Sequence, residues 1–283
     1  MNDQLYPLDS NFQSQQSSKC DLLIHISSTR IAYAILDIVQ EQIKVLFETP
    51  LTFEDEKTSV LERLDHMLDV DKRLKFHFRK TKFSIDTFKF TFIPQEIYSD
   101  KNLKEYTKFI SPNIVSDTKV SHIKTAKIKN IFAIEPSLTS ELSSRFNKPS
   151  IFSQANPFIE GVFKISKKDI NTQLFLNVEP ECFEAALLLN GKFHFYNFFD
   201  CRNADEFNYY LLAIIEQFGL NKTPTTITLS GQINENDDYY NRIQKYSDKV
   251  EFADIKHLIS HPENFKNTSP HHYFSLISLN LCE

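Results

Sequence analysis

Leu22-Leu-Ile-His-Ile-Ser-Ser-Thr-Arg-Ile-Ala-Tyr-Ala-Ile-Leu36 lies without gaps over Leu174-Phe-Leu-Asn-Val-Glu-Pro-Glu-Cys-Phe-Glu-Ala-Ala-Leu-Leu188. Apolar residues coincide at 22/174, 24/176, 26/178, 31/183, 34/186 and 36/188. Each copy reads as strand, polar turn, strand, because short apolar runs bounded by turn formers suit buried strands. Two such copies at a fixed offset are the mark of an internal structural repeat.

Outward from the second copy, Cys182 to Leu189 and Lys192 to Phe199 flank Asn190-Gly191. That pair is a strong hairpin signal, since both turn residues must accept positive φ. Asn203 and Glu206 then form a capping box, and Phe207, Leu211, Ile214, Ile215 and Phe218 mark one helical face that Gly219 ends. Thr226 to Leu229 is the next strand, so the order is β-β-β-α-β. The first half repeats it: Leu22 to Ile26, Arg30 to Val39 and Gln42 to Leu51 are strands, Ser59 and Glu62 cap a helix carrying Leu61, Leu64 and Leu68, and Phe83 to Ile93 contains the fourth strand. Its apolar parity slips between Ile85 and Phe88, which predicts a bulge or bend near Asp86-Thr87. Residues 1 to 19 are polar and read as a poorly ordered arm. The expected organisation is an arm (1–19), a first lobe with a basic central segment (20–165) and a second lobe (166–283).

Composition removes several activities. The 283 residues include 4 glycines, where average usage predicts about 20. Gly161, Gly191, Gly219 and Gly231 are too scattered for a Walker loop or a dinucleotide fingerprint. Cys20, Cys182, Cys201 and Cys282 show no C-x-x-C spacing and read as buried thiols in a reducing compartment. There is no signal-peptide pattern and no apolar run of about 20 residues, so a cytosolic protein without a membrane span is expected.

A duplicated β-β-β-α-β whose copies each open with strand-turn-strand resembles the actin, sugar-kinase and chaperone-ATPase superfamily. More closely, the chain is similar to a bacterial family of unknown function with an actin-like ATPase fold. The resemblance implies an α/β, RNase H-like, two-lobed protein. In active members both strand turns carry Asp-x-Gly around the Mg-bound phosphates, and a later Gly-Gly pair contacts the adenosine. Here Ser27 stands at the first Asp position and Thr29 at its Gly position, in Ser27-Ser28-Thr29-Arg30. Glu179 keeps a carboxylate in the second turn, but Glu181 replaces the Gly and Pro180 removes a backbone donor. Ser230-Gly231 keeps one glycine of the pair. Without glycine the backbone cannot come close to a phosphate, and a glutamate aimed at one repels it.

The expectation is therefore a non-catalytic scaffold or adaptor with a degenerate nucleotide cleft, no cofactor and a protein partner. In the alternative, ATP and Mg bind divergently: the hydroxyls of Ser27, Ser28 and Thr29 and the Arg30 charge hold phosphates, Glu179 orients metal or water, and Ser230 and Gly231 flank the base. A further alternative is nucleic-acid binding through Lys72 to Asn130, which holds 14 Lys and Arg against 5 Asp and Glu in a chain of net charge −5. Its aromatic interleaving, Phe76 to Phe92, equally describes strands with Phe inward and Lys outward. Glu179 and Glu181 could form an acid/base pair, though solvated turn acids are the simpler reading. His257 and His261 have i, i+4 spacing, but Pro262 stops a helix there, so no metal site is expected.

Overall fold

Cys20–Ile26 is buried along its whole length, and Cys182–Leu189 along all but its last residue. Unbroken burial of this kind marks strands covered on both faces, and it sets the architecture. The computed structural model describes residues 4–7, 12–50, 60–110, 117–260 and 269–283.

The first lobe runs through β1 (Gln4–Pro7), α1 (Ser14–Ser17), β2 (Cys20–Ile26), β3 (Arg30–Asp37), β4 (Gln42–Pro50), α2 (Val60–Val70) and β5 (Lys80–Ile85). Next come β6 (Phe90–Pro94), α3 (Leu103–Thr107), β7 (Asp117–Ile123), β8 (Ile128–Ile134), α4 (Pro136–Arg145), β9 (Ser150–Ser153) and α5 (Ala155–Ile165). The second lobe has β10 (Thr172–Glu179), β11 (Cys182–Leu189), β12 (Lys192–Asp200), α6 (Ala204–Phe218), β13 (Thr226–Gly231), α7 (Asp238–Ile243), β14 (Lys249–Phe252) and α8 (Phe274–Ser278).

The first sheet has the order β1-β4-β3-β2-β5-β9, and the second β12-β11-β10-β13-β14. The pairing β4-β3-β2-β5 has the same senses as β12-β11-β10-β13: antiparallel, antiparallel, parallel. Both halves thus follow β-β-β-α-β. Asn190 and Gly191 take φ of 52° and 70° in the hairpin turn. The Asn203 side chain caps α6 by accepting from the N–H groups of Asp205 and Glu206. Gly219 ends that helix at φ 63°, the left-handed geometry glycine adopts without strain.

Two expectations are corrected and a third is resolved between its alternatives. Residues 4–7 do not belong to a loose arm; they pair with β4 and extend the sheet by one edge strand. Phe83 to Ile93 does contain the end of the fourth strand, and the break expected near Asp86-Thr87 is a bend and not a bulge. β5 ends at Ile85, and the chain leaves the sheet at Asp86 to enter a separate three-stranded sheet, β6-β8-β7. The parity slip marked a change of sheet. The Glu206 carboxylate accepts from Arg202 N–H, one residue before the cap. The predicted Ser59 cap lies outside the described residues.

Helices cover both lobes. Leu64 and Met67 of α2 and Leu138 and Leu142 of α4 pack on one face of the first sheet. Phe207, Leu211, Ile214 and Ile215 of α6 cover the second. Between the sheets lie α5 and α8, whose Phe158 and Phe274 rings meet edge to face at 6.3 Å. An aromatic ladder also joins the inserted sheet to β12: Phe90 and Phe92 pack on Tyr196, and Phe92 meets Phe193. The fully buried Phe158 and Phe274 each contribute about 1.5–3 kcal/mol relative to exposure, and the half-buried ladder rings less. This seam fixes one lobe against the other and positions the turns described next.

Candidate functional site

Both turns that the sequence singled out sit at the C-terminal ends of the first strands, β2 and β10, of their lobes. The first turn is closed on itself. Ser27 N–H donates to the Arg30 carbonyl (3.0 Å), while Ser27 Oγ accepts from the N–H groups of Arg30 (3.0 Å) and Thr29 (3.2 Å). Ser27 is buried, Ser28 exposed and Thr29 half-buried. Serine suits this role because its hydroxyl reaches nearby backbone amides.

Arg30 crosses to the other lobe. One guanidinium nitrogen donates to Glu179 Oε1 at 2.7 Å and to the His272 carbonyl at 3.2 Å, and another to Glu48 Oε2 at 3.2 Å. The structure thus brings Arg30 and Glu179 together. Burial works against the Arg30 charge, but the Glu179 and Glu48 carboxylates outweigh it and hold its pKa above the usual value. Burial raises the Glu179 pKa against the pull of Arg30.

The remaining expected residues have other contacts. Glu181 is half-buried, and its carbonyl accepts from Cys201 N–H at 2.9 Å. The Ser230 hydroxyl donates to Asn177 Oδ1 at 2.9 Å. Gly231 has φ +82°, and a Cβ there would lie 2.3 Å from the Val178 carbonyl oxygen. Glycine is required at 231 because the end of β13 closes on β10.

Several residues in this seam went unread in the sequence. Glu184 of β11 accepts from Asn177 Nδ2 (2.9 Å) and from the Tyr196 hydroxyl (2.7 Å). Burial and then Asp86 push its pKa well above the usual range, against those two hydrogen bonds. The Asp86 carboxyl is likewise pushed well up, by burial and by Glu179. His25 Nε2 stands 3.6 Å from Asp86 Oδ1, and burial and Arg30 push the His25 pKa down to about 3. Glu184 did carry a signal, a lone acid inside an apolar strand. His272 carried none, because it acts through its carbonyl.

Buried polar atoms without a hydrogen-bond partner cluster here: His25 Nδ1, Arg30 Nε, Asp86 Oδ1, Glu179 Oε2 and Gln232 Nε2. The Cys182 thiol is pushed far up by burial, the opposite of an activated nucleophile. Among the described residues no group of His, Cys, Asp and Glu is arranged to hold a metal ion. His261 lies outside them, and His271 Nε2 contacts the Ile233 carbonyl.

Part of the basic segment's charge is taken up within the chain. Arg73 pairs with Asp71 and Arg79 with Asp21. Lys82 is buried, its ammonium donating to the carbonyls of Asn280 (2.8 Å) and Cys282 (2.7 Å). Phe78 and Phe83 are core residues.

Residues 9–250 match the family described as "Protein of unknown function (DUF3822)". The chain belongs to that family. No curated protein matches the sequence. A protein of unknown function with an actin-like ATPase fold from Bacteroides thetaiotaomicron is similar over 96% of this chain and 99% of its own, at 18% identity and TM-score 0.80. A chain of the PilM-PilN type IV pilus biogenesis complex is similar over 92% and 97%, at 10% identity and TM-score 0.65. The ethanolamine utilization protein EutJ from Carboxydothermus hydrogenoformans is similar over 94% and 89%, at 6% identity and TM-score 0.50. This DUF3822 protein therefore has the actin-like ATPase fold that the sequence resemblance implied. Among its described residues no helix is long and apolar enough to cross a membrane.

Proposed function

We propose that this DUF3822 protein is a non-catalytic scaffold or adaptor whose duplicated fold has given its nucleotide cleft over to an internal contact. The observation that carries the reading is the Arg30–Glu179 ion pair, which joins the turns where active relatives of the fold grip phosphate. Three further features support it. Ser27 Oγ takes up the N–H groups of Thr29 and Arg30, which an anion-binding turn would offer to phosphate. Glu179 already occupies the Arg30 guanidinium that a phosphate would need. The aromatic ladder and the α5–α8 contact tie the lobes on other sides, whereas catalysis around a ligand usually needs lobes that close and reopen. These residues do not fit a Mg-nucleotide. A structural relative in a pilus biogenesis complex is in keeping with work through protein contacts.

A second reading, divergent nucleotide binding, is favoured by the unpartnered buried atoms on Arg30, Glu179 and Gln232, which are groups a polar ligand could satisfy. Calorimetry and thermal shift with ATP, ADP and GTP plus Mg separate the two. The scaffold reading expects no heat and no shift. A nucleotide at 100 times its Kd would add about 2.7 kcal/mol, and a Tm rise of that size would overturn it.

A further inference from the structure

The internal repeat leaves the two sheets unlike at one edge. β4 and β12 are the third strands of the two repeats, and their pairing is irregular at the same place. It shifts between Ile35 and Leu36 of β3 and between Leu187 and Leu188 of β11, positions that the repeat overlays. Just past the shift Val45 pairs with Ile35, and Phe195 with Leu187. Residues 45–48 of β4 therefore correspond to residues 195–198 of β12. In the first lobe that stretch is covered, because β1 pairs with Val45 to Glu48 in antiparallel sense. In the second sheet β12 is the end strand, and no described strand lies on its outer side.

An uncovered strand edge presents a row of backbone N–H and C=O groups ready to pair. This one is also flanked by exposed rings. Phe198 and Phe199 point to opposite faces of the sheet, as successive strand residues do. Phe88, 58% exposed, stacks on Phe198 at 4.5 Å. On the other face Phe199 packs on Tyr210 at 5.0 Å, and Tyr210 meets Tyr209, 68% exposed, at 5.3 Å. Natural edge strands are often guarded by charged side chains along their length. The formal charges of β12 stand only at its ends, Lys192 first and Asp200 last. Both are exposed, and neither forms an ion pair among the described residues.

We propose that β12 pairs with β12 of a second copy, antiparallel about a two-fold axis, joining the two second-lobe sheets into one. Two observations favour this occupant. Antiparallel self-pairing brings the Lys192 end of each strand to the Asp200 end of the other, so the free charges meet opposite signs twice. β12 is also extended already, over 9 residues, so pairing orders no loose segment, whereas an unstructured peptide would have to be ordered on capture. A contact of this symmetry closes at two copies. It engages neither Arg30 nor Glu179, so it goes beyond the scaffold reading and does not depend on it.

Sedimentation of the full chain across a concentration series tests this. The parent should form a dimer, and hydrogen exchange at the amides of residues 195–199 should slow as concentration rises. Lys192→Glu and Asp200→Lys should each weaken the dimer about tenfold or more, since each turns two attractions into two repulsions. Mixing the two variants in equal amounts should restore it, because in the mixed pair every strand end again faces its opposite. That recovery would also show that both variants are folded. A monomer at every concentration overturns the proposal and leaves the edge to another protein's strand. A dimer that both variants leave unchanged, a mixture no stronger than its parts, or growth beyond two copies also overturns it. Mg-ATP binding by an intact dimer removes the scaffold reading alone.

Discussion

Arg30 and Glu179 lie 149 residues apart and meet at 2.7 Å, with 6% and 4% of their surfaces exposed. Breaking a buried pair strands a charge and costs about 3–5 kcal/mol, whereas replacing both partners with apolar groups is often neutral. The two single changes are not equivalent. After Arg30→Met, Glu179 can take up a proton, a change its raised pKa already favours. After Glu179→Leu, Arg30 keeps its charge with Glu48 and the His272 carbonyl beside it. Urea denaturation at pH 7 should show Glu179→Leu as the more damaging single variant and Arg30→Met/Glu179→Leu recovering most of the loss. Single variants within about 0.5 kcal/mol of the parent would show that the pair does not hold the lobes.

Gly161 of α5 packs against α8 so closely that a Cβ there would lie 2.2 Å from Ser278 Oγ and 2.8 Å from the Phe274 ring. Gly161→Ala gains helix propensity of about 1 kcal/mol, but the overlap is with a packed helix and outweighs it, for a net loss of about 1–3 kcal/mol. Ser278→Gly removes the nearest atoms and should restore part of that loss. Thermal denaturation of the single and double variants measures the coupling; strict additivity would mean that the two helices do not compete for this space.

The seam also predicts opposite pH responses from neighbouring groups. His25 has its pKa pushed down to about 3 in the folded state. Its contribution is present above its unfolded value of about 6.5 and is lost as pH falls from there toward 3, by up to about 1.4 kcal/mol per pH unit. The Asp86 pKa is raised, so its contribution is present below its unfolded value and is lost as pH rises. Two variants separate these effects. His25→Gln should flatten the acid limb of stability below pH 6.5. Asp86→Asn, which removes the burden of ionisation, should be more stable than the parent at pH 7 and lose that advantage near pH 4. Urea midpoints between pH 3.5 and 8 read both, and parallel curves for Asp86→Asn and the parent would refute the assignment.

Tyr196 combines a ring in the aromatic ladder with a hydroxyl that donates to Glu184 at 2.7 Å. Tyr196→Phe keeps the ring and leaves a buried carboxyl oxygen short of a donor, at a cost of about 1–3 kcal/mol. Tyr196→Ala removes both and should cost about 3–5 kcal/mol. Equal losses in denaturant titrations would place the whole contribution in the hydroxyl.

The repeated strand-turn-strand and the helix that follows it were legible because burial on both faces writes apolar runs, and because Asn190-Gly191, Asn203 and Gly219 are local signals. The inserted sheet was not. Its first two strands, β6 and β7, are half-buried, and Phe90 and Phe92 alternate with polar residues where a continuation of β5 would. Within the site, Arg30 and Glu179 were picked out by their turn positions, but their contact belongs to how the two lobes stack, which no local pattern encodes. Asp86 showed itself only as a break in parity. Glu48 and His272 reach Arg30 from a third strand and from the chain's last segment, and neither has a residue type that would mark it.

Lys82 sits in β5, yet the carbonyls that satisfy its ammonium belong to residues 198 and 200 positions further along. On a translating ribosome the first lobe therefore emerges before these acceptors exist, and the apolar face that α8 covers is still bare. That lobe remains immature until nearly all of the second has been synthesised, so maturation runs as one late event instead of two sequential ones. Any truncation that removes residues 280–282 should leave a chain that chaperones retain.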